Sequence, residues 1–142
     1  KTGQYGIYHI YLNYMADLTI EFYKKEPKAD GTEECPVTEF LDSLSPKMKA
    51  KILRTVELLK NQGTDLRLPY SESLKDGILE LRAKFGSDIT RVLYFFVIGN
   101  KAVLTHGFVK KTQKTPPEEI ERAKKYRIDY LNRNQTIQKE KK

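Results

Sequence analysis

Apolar and polar residues alternate along DLTIEFYKK, residues 17–25. Leu18, Ile20 and Phe22 fall on one side and Thr19, Glu21 and Tyr23 on the other, which is the period of a strand. A polar loop containing Asp30-Gly31 follows, and then the period changes. Val37, Phe40, Leu41 and Leu44 share one helical face, with Pro36 in the first turn, where its missing N–H costs nothing. Ser45-Pro46 restarts the pattern, serine as N-cap and proline as first helical residue. Met48, Ile52, Val56 and Leu59 carry the stripe to Asn61-Gln62-Gly63, a C-terminal stop. The spacing predicts helices over about 37–44 and 46–62, an N-terminal helical hairpin whose apolar stripe packs into the core.

LRLPYSESL, residues 66–74, has Pro69 inside it and reads as a loop with a short edge strand. Three strand signals come next. GILELRAKF (77–85) sets Leu79, Leu81, Ala83 and Phe85 against Glu80, Arg82 and Lys84. ITRVLYFFVI (89–98) is nearly continuous apolar, as a central strand is. Gly99-Asn100 is a two-residue hairpin signal, and KAVLTHGFV (101–109) is the partner strand. Thr115-Pro116-Pro117-Glu118 predicts a helix start with threonine as N-cap. That helix is expected to run to about Asn132, with a frayed tail after about 133. The expected class is α+β: a mainly antiparallel four-stranded sheet, the helical hairpin on one face, and a C-terminal helix. One domain is expected over 15–142. Residues 1–14, KTGQYGIYHIYLNY, lack a signal-peptide pattern and read as an appended or upstream segment.

The turns set which charged groups meet. A two-residue turn at Gly99-Asn100 puts Arg91 opposite Phe108 and Leu93 opposite His106. A two-residue turn at Gly86-Ser87 puts Arg82 directly opposite Arg91, a four-residue turn leaves them on one face, and a three-residue turn separates them. Leu79, Leu81, Val92, Tyr94, Phe96 and Val103 then make the face that takes the helices, with Arg82, Arg91 and His106 beside Leu93 and Phe95 on the other. Two arginines across a sheet repel unless something negative lies between them. Either a bound anion or Glu80 or Glu21 can supply that charge.

Charge sharpens this picture. The chain of 142 residues carries a net +7. Residues 1–109 hold 15 Lys and Arg against 14 Asp and Glu, a net +1, while residues 110–142 hold 11 against 5, a net +6. Such a local excess favours a polyanionic partner. Cys35 is the single cysteine, which excludes an intrachain disulfide and a cysteine zinc site and fits the cytoplasm. No apolar run approaches the ~18 residues of a membrane span, so no membrane partner is expected. There is no glycine-rich phosphate loop, no HExxH, and no arguable Ser/His/Asp arrangement.

HGFVKKTQKTPPEE, residues 106–119, therefore stands out: the strand delivers Lys110, Lys111 and Lys114 toward the arginine face. Arginine meets phosphate by its planar fork and lysine as a point charge. Cleavage of RNA needs the 2′-OH deprotonated, the phosphorane stabilised and the 5′-oxygen protonated. Clustered cations serve the second need and favour the neutral, basic form of a lysine among them. His106 has acid–base chemistry available, although a lone strand histidine is more often structural. Glu118, Glu119 and Glu121 lie in the first helical turn, where the helix dipole favours them.

IEFYKK (20–25), CPVTEFLDSLSPKMKAKILRTVELL (35–59), LPYSESLKDGILELRAKFGSDITRVLYFFVIGNKAVLTHGFVKKTQKTP (68–116) and EIERAKKYRIDYL (119–131) resemble the RelE/ParE toxin superfamily. Within it the combination of ELR, TRVLYFF and GFVKKTQKTP is similar to the phage-derived Gp49-like HigB toxins of type II toxin–antitoxin systems. The resemblance implies a RelE-like fold and a ribosome-dependent mRNA endonuclease that acts in the ribosomal A site, uses the 2′-OH as nucleophile, and needs no metal or other cofactor. Arg82, Arg91, Lys110, Lys111 and Lys114 match the family's motifs and are the candidate catalytic residues. Lys84, His106, Thr112, Lys124 and Lys125 are the candidate RNA contacts around them. Relatives often place a tyrosine or histidine near the C-terminus for acid–base work; the matching place here holds Thr112–Thr115, with Tyr126 and Tyr130 further on. A helix-turn-helix antitoxin of HigA type is the implied partner, with operator DNA reached only through it.

Two other functions compete: a noncatalytic basic RNA-binding module, marked by salt-dependent binding without cleavage, and a ParE-like toxin with a protein target such as gyrase, which needs no cationic cluster. The residue pattern predicts that Arg82→Ala or Arg91→Ala abolishes toxicity without unfolding the domain.

Overall fold

The computed structural model describes residues 18–141, with side chains described as far as Asn134. The expectations for residues 1–14 and for a start at Met15 lie outside that range. The elements in chain order are β1 (Thr19–Phe22), α1 (Pro36–Asp42), α2 (Pro46–Gln62), β2 (Ser71–Ser73), β3 (Leu79–Phe85), β4 (Asp88–Val97), β5 (Lys101–Lys110) and α3 (Pro117–Lys141), with a 3₁₀ turn at Gly63–Asp65.

The local signals act as elementary chemistry dictates. Ser45 Oγ accepts from the Met48 N–H at 3.3 Å, so α2 is capped as its sequence predicts. Gly63, at φ 58°, ends it. α1 and α2 lie against β5 and β3 on the same face of the sheet. They pack on the sheet more than on each other, so the expected helical hairpin is two helices laid side by side on strands. Their core joins Val37, Leu41, Ile52 and Leu59 to Leu81, Val92, Tyr94 and Leu104.

The sheet has five strands, in the order β1-β5-β4-β3-β2. This corrects the expected four. The fifth is the three-residue edge strand within LRLPYSESL, and β1 joins β5 in parallel while the other pairs are antiparallel. α3 covers the opposite face, against β4 and β5, over a second core of Ile78, Leu93, Phe95, Val103, Ala123 and Tyr130. With helices on both faces, β4 is buried on both sides, which accounts for its nearly continuous apolar run.

The β4–β5 connection corrects the two-residue turn. Val97 pairs with Lys101, so the loop is Ile98-Gly99-Asn100, with Gly99 and Asn100 at φ 102° and 61°. Thr105 is then an extra residue between Leu104, opposite Tyr94, and His106, opposite Leu93. This bulge is held by a bond from the Thr105 hydroxyl to the Leu93 carbonyl at 3.0 Å. Loop and bulge offset each other. Arg91–Phe108 and Leu93–His106 pair as the two-residue turn predicts, but Val103, between loop and bulge, turns to the α3 face beside Phe95.

α3 also departs from expectation at both ends. It continues past Asn132 to Lys141, and it starts at Pro117. Thr115 is not its N-cap. The Thr115 hydroxyl is held by buried groups of the sheet described below.

Candidate nucleic-acid interface

Three rows of side chains cross β3, β4 and β5 on the face that α3 shares. Register fixes them. Glu80, Leu93 and His106 form the inner row, Arg82, Arg91 and Phe108 the middle row, and Lys84, Ile89 and Lys110 the outer row. The tight Gly86-Ser87 turn, with Phe85 opposite Asp88, brings Arg82 and Arg91 face to face, as the two-residue register predicts.

The inner row lies under α3. The His106 ring is 3 % exposed and meets Tyr126 edge-on at 5.7 Å. Its Nδ1 is 3.1 Å from the Thr105 hydroxyl, and its Nε2 is 3.6 Å from Glu119 Oε1 without a hydrogen bond. Burial, with Arg122 nearby, pushes its pKa down to about 4. Glu119 would pull the other way, but its carboxylate is too far for a good bond and shares its charge with Arg122 at 3.8 Å. The ring is therefore neutral at pH 7 and offers no surface to a polynucleotide.

The middle row answers the repulsion question. Glu80, wholly buried, supplies the counter-charge: its Oε1 lies 3.8 Å from Arg91 Nη1 and its Oε2 3.4 Å from Arg82 Nε. Glu21 pairs instead with Lys101 at 2.9 Å. Arg91 is itself wholly buried, over the Phe108 ring at 5.9 Å. Its Nη1 donates to the Thr115 hydroxyl at 3.2 Å and its Nη2 to the Thr112 carbonyl, while Thr115 donates in turn to Glu80. Burial pushes Glu80 up and Arg91 down, and each opposes the shift in the other. The network pins both ends of the segment 112–115, so the lysine-rich loop is lashed to the sheet beneath it.

Arg82 sits at the open end of this row, with a side chain 11 % exposed. Its Nη1 meets Glu72 Oε2 at 3.2 Å, and its Nη2 donates to the Gln113 carbonyl at 3.0 Å and to the Gln113 side-chain oxygen at 2.9 Å. These groups border an open cleft of about 630 Å³ lined by Leu68, Pro69, Glu72, Arg82, Lys84, Ile89, Gln113 and Lys114. The cleft thus gathers Arg82, Lys84 and Lys114. Lys110, paired with Ile89 of the lining, and Lys111 after it are exposed and are not among the lining residues.

The other candidates fall elsewhere. Thr112 is exposed, but its carbonyl serves Arg91. Lys124 on α3 is paired with Asp76 at 2.7 Å, on the β2–β3 connection, and Lys125 is exposed on the same helix. Tyr130 donates to Glu21 at 3.1 Å, and Tyr126 stacks on Tyr23 at 4.6 Å; neither lines the cleft. The sequence motifs do not single out Glu72 or Gln113; the signal nearest to Glu72 is the short edge strand within LRLPYSESL. Among the described residues, no group of three His, Cys, Asp or Glu is arranged to hold a metal ion, and no helix is long and apolar enough to cross a membrane.

A search of curated proteins finds no match to the chain. The family model described as Phage derived protein Gp49-like (DUF891) matches residues 39–127, from α1 to the middle of α3, and so takes in every residue of the cleft. The chain belongs to this Gp49-like family of RelE/ParE-type toxin-like proteins, a family associated with the toxins of toxin–antitoxin systems.

Proposed function

We propose that the protein is a toxin of HigB type that cleaves mRNA on the ribosome. The observation that carries this reading is the cleft that Arg82, Lys84 and Lys114 line together with Glu72, whose carboxylate meets Arg82. Cations placed where a phosphorane gathers charge stabilise it, and a carboxylate among them is a proton acceptor within reach.

The chemistry follows from that set. The ribose 2′-oxygen attacks the adjacent phosphorus, the P–O5′ bond breaks, and a 2′,3′-cyclic phosphate and a 5′-hydroxyl result. Glu72, 41 % exposed and paired with Arg82, takes the 2′-OH proton. A phosphate that enters competes with Glu72 for the Arg82 guanidinium, so one event engages the arginine and frees the base. Lys114 returns a proton to O5′, while Lys84, Lys110 and Lys111 bind the flanking phosphates. Arg91 is a positioning residue in this scheme: it holds the loop that carries Lys114 and Gln113 and does not touch the substrate.

The same reading places the protein in the cytoplasm, with the ribosomal A site and its message as target. A helix-turn-helix antitoxin neutralises it, and operator DNA is reached only through that antitoxin. The test is to express the protein, follow growth, and label new 5′-hydroxyl ends in cellular RNA. The reading predicts arrest together with 5′-hydroxyl ends inside translated frames. Arrest with intact messages would overturn it and point to a protein target, with gyrase tested next.

A further inference from the structure

A second groove, of about 510 Å³, lies on the helix side of the β3 edge. It shares Pro69, Arg82 and Lys84 with the first cleft, so the two meet along that strand. Lys51 and Arg54 of α2 form its far wall. Lys51 Nζ donates to the Lys84 carbonyl at 2.8 Å, which fixes one cation beside the groove, and Arg54 is exposed. Among the described residues, no carboxylate lines this groove. Tyr70, 45 % exposed, stands on its rim next to Pro69. An exposed aromatic ring lining the same groove as several cations suits single-stranded nucleic acid, with a base stacked on the ring and phosphates on the cations.

We propose that this groove is a subsite for the RNA nucleotide flanking the cleaved bond, with Tyr70 stacked on its base and Lys51 and Arg54 meeting its phosphate. The proposal rests on the nuclease reading, since the groove adjoins the reacting phosphate only if that phosphate sits at Arg82. It adds a residue class, the stacking tyrosine, that binds without regard to base identity because every base has a π-face.

The test is single-turnover cleavage of a message on programmed ribosomes. It compares wild type, Tyr70→Ala, Tyr70→Phe and the double variant Lys51→Ala/Arg54→Ala, each with a normal message and with one abasic at either nucleotide flanking the cut. Losing one stacked base costs roughly 5- to 150-fold, so Tyr70→Ala is expected to slow cleavage within that range. Tyr70→Phe should stay within about twofold, because the ring remains. One abasic position should cost wild type a similar factor and cost Tyr70→Ala nothing more, the signature of a direct contact. The double variant should cut more slowly and with a weaker salt dependence. Wild-type rates for Tyr70→Ala, or abasic and tyrosine losses that simply multiply, would overturn the subsite and leave the nuclease intact. A wild type that cuts no ribosome-bound message would overturn both.

Discussion

Arg91→Ala removes a wholly buried guanidinium and leaves its partners in place. Glu80 loses one of its two cations, the Thr112 carbonyl loses its donor, and the Thr115 hydroxyl loses one of its two bonds. Breaking a buried pair from one side costs about 3–5 kcal/mol, because a charge is left uncompensated. Two charge-assisted hydrogen bonds at roughly 1.5–3 kcal/mol each give an overlapping range of about 3–6 kcal/mol. Against a typical domain stability of about 5–15 kcal/mol, the variant is expected to fold but with much of its margin gone. The expectation of a clean loss of toxicity without any effect on folding is therefore revised for this residue. Urea denaturation followed by circular dichroism measures the effect; with a slope of about 2 kcal/mol per molar, the midpoint should fall by roughly 2 M. The double variant Glu80→Leu/Arg91→Met removes both charges and should recover most of the loss. Amide exchange at Gln113 and Lys114 should quicken in both variants, since neither holds the loop. A loss under about 1 kcal/mol for Arg91→Ala, or a double variant as unstable as the single, would refute the claim that this pair braces the site.

His106 gives a pH prediction. Its pKa of about 4 lies below the ordinary 6.5, so between those values the unfolded chain binds a proton that the folded chain refuses. Its contribution is present above pH 6.5 and is lost as pH falls toward 4, up to roughly 3 kcal/mol. Denaturation midpoints against pH should show this dependence in wild type and a flatter one in His106→Gln; equal slopes would mean that folding does not depress the pKa of this ring. Gly107→Ala is expected to destabilise by about 1–3 kcal/mol, because its methyl group would lie 2.2 Å from the Phe40 ring. An unchanged midpoint would show that α1 yields freely.

The site was legible as far as register is legible. A tight turn at Gly86-Ser87 and a period of two are enough to set Arg82 against Arg91. The Gly99-Asn100 signal predicts the right pairs at the site for a partly wrong reason: a loop one residue longer is offset by the bulge at Thr105, and the residues between them, Val103 included, pair one place off that register. What sequence could not show is long-range or carried by backbone. The parallel join of β1 to β5 links strands about eighty residues apart. The start signal at Thr115-Pro116-Pro117-Glu118 predicts a helix, not that it covers the face carrying His106. One acceptor that holds Arg91 is a main-chain carbonyl, which no residue pattern reveals. Whether that guanidinium faces a ligand or a loop follows from how the chain turns after Lys110.

The most direct measurement is primer extension on a defined message incubated with purified protein, with and without programmed ribosomes, for wild type, Lys114→Ala and Arg82→Ala. Lys114 is exposed, so its variant keeps the fold while removing a cation from the cleft. The account predicts cuts that require ribosomes and that weaken by at least tenfold in both variants, about 1.4 kcal/mol or more of lost transition-state stabilisation. Wild-type cutting by both variants, or no cutting by protein that still arrests growth, would contradict it.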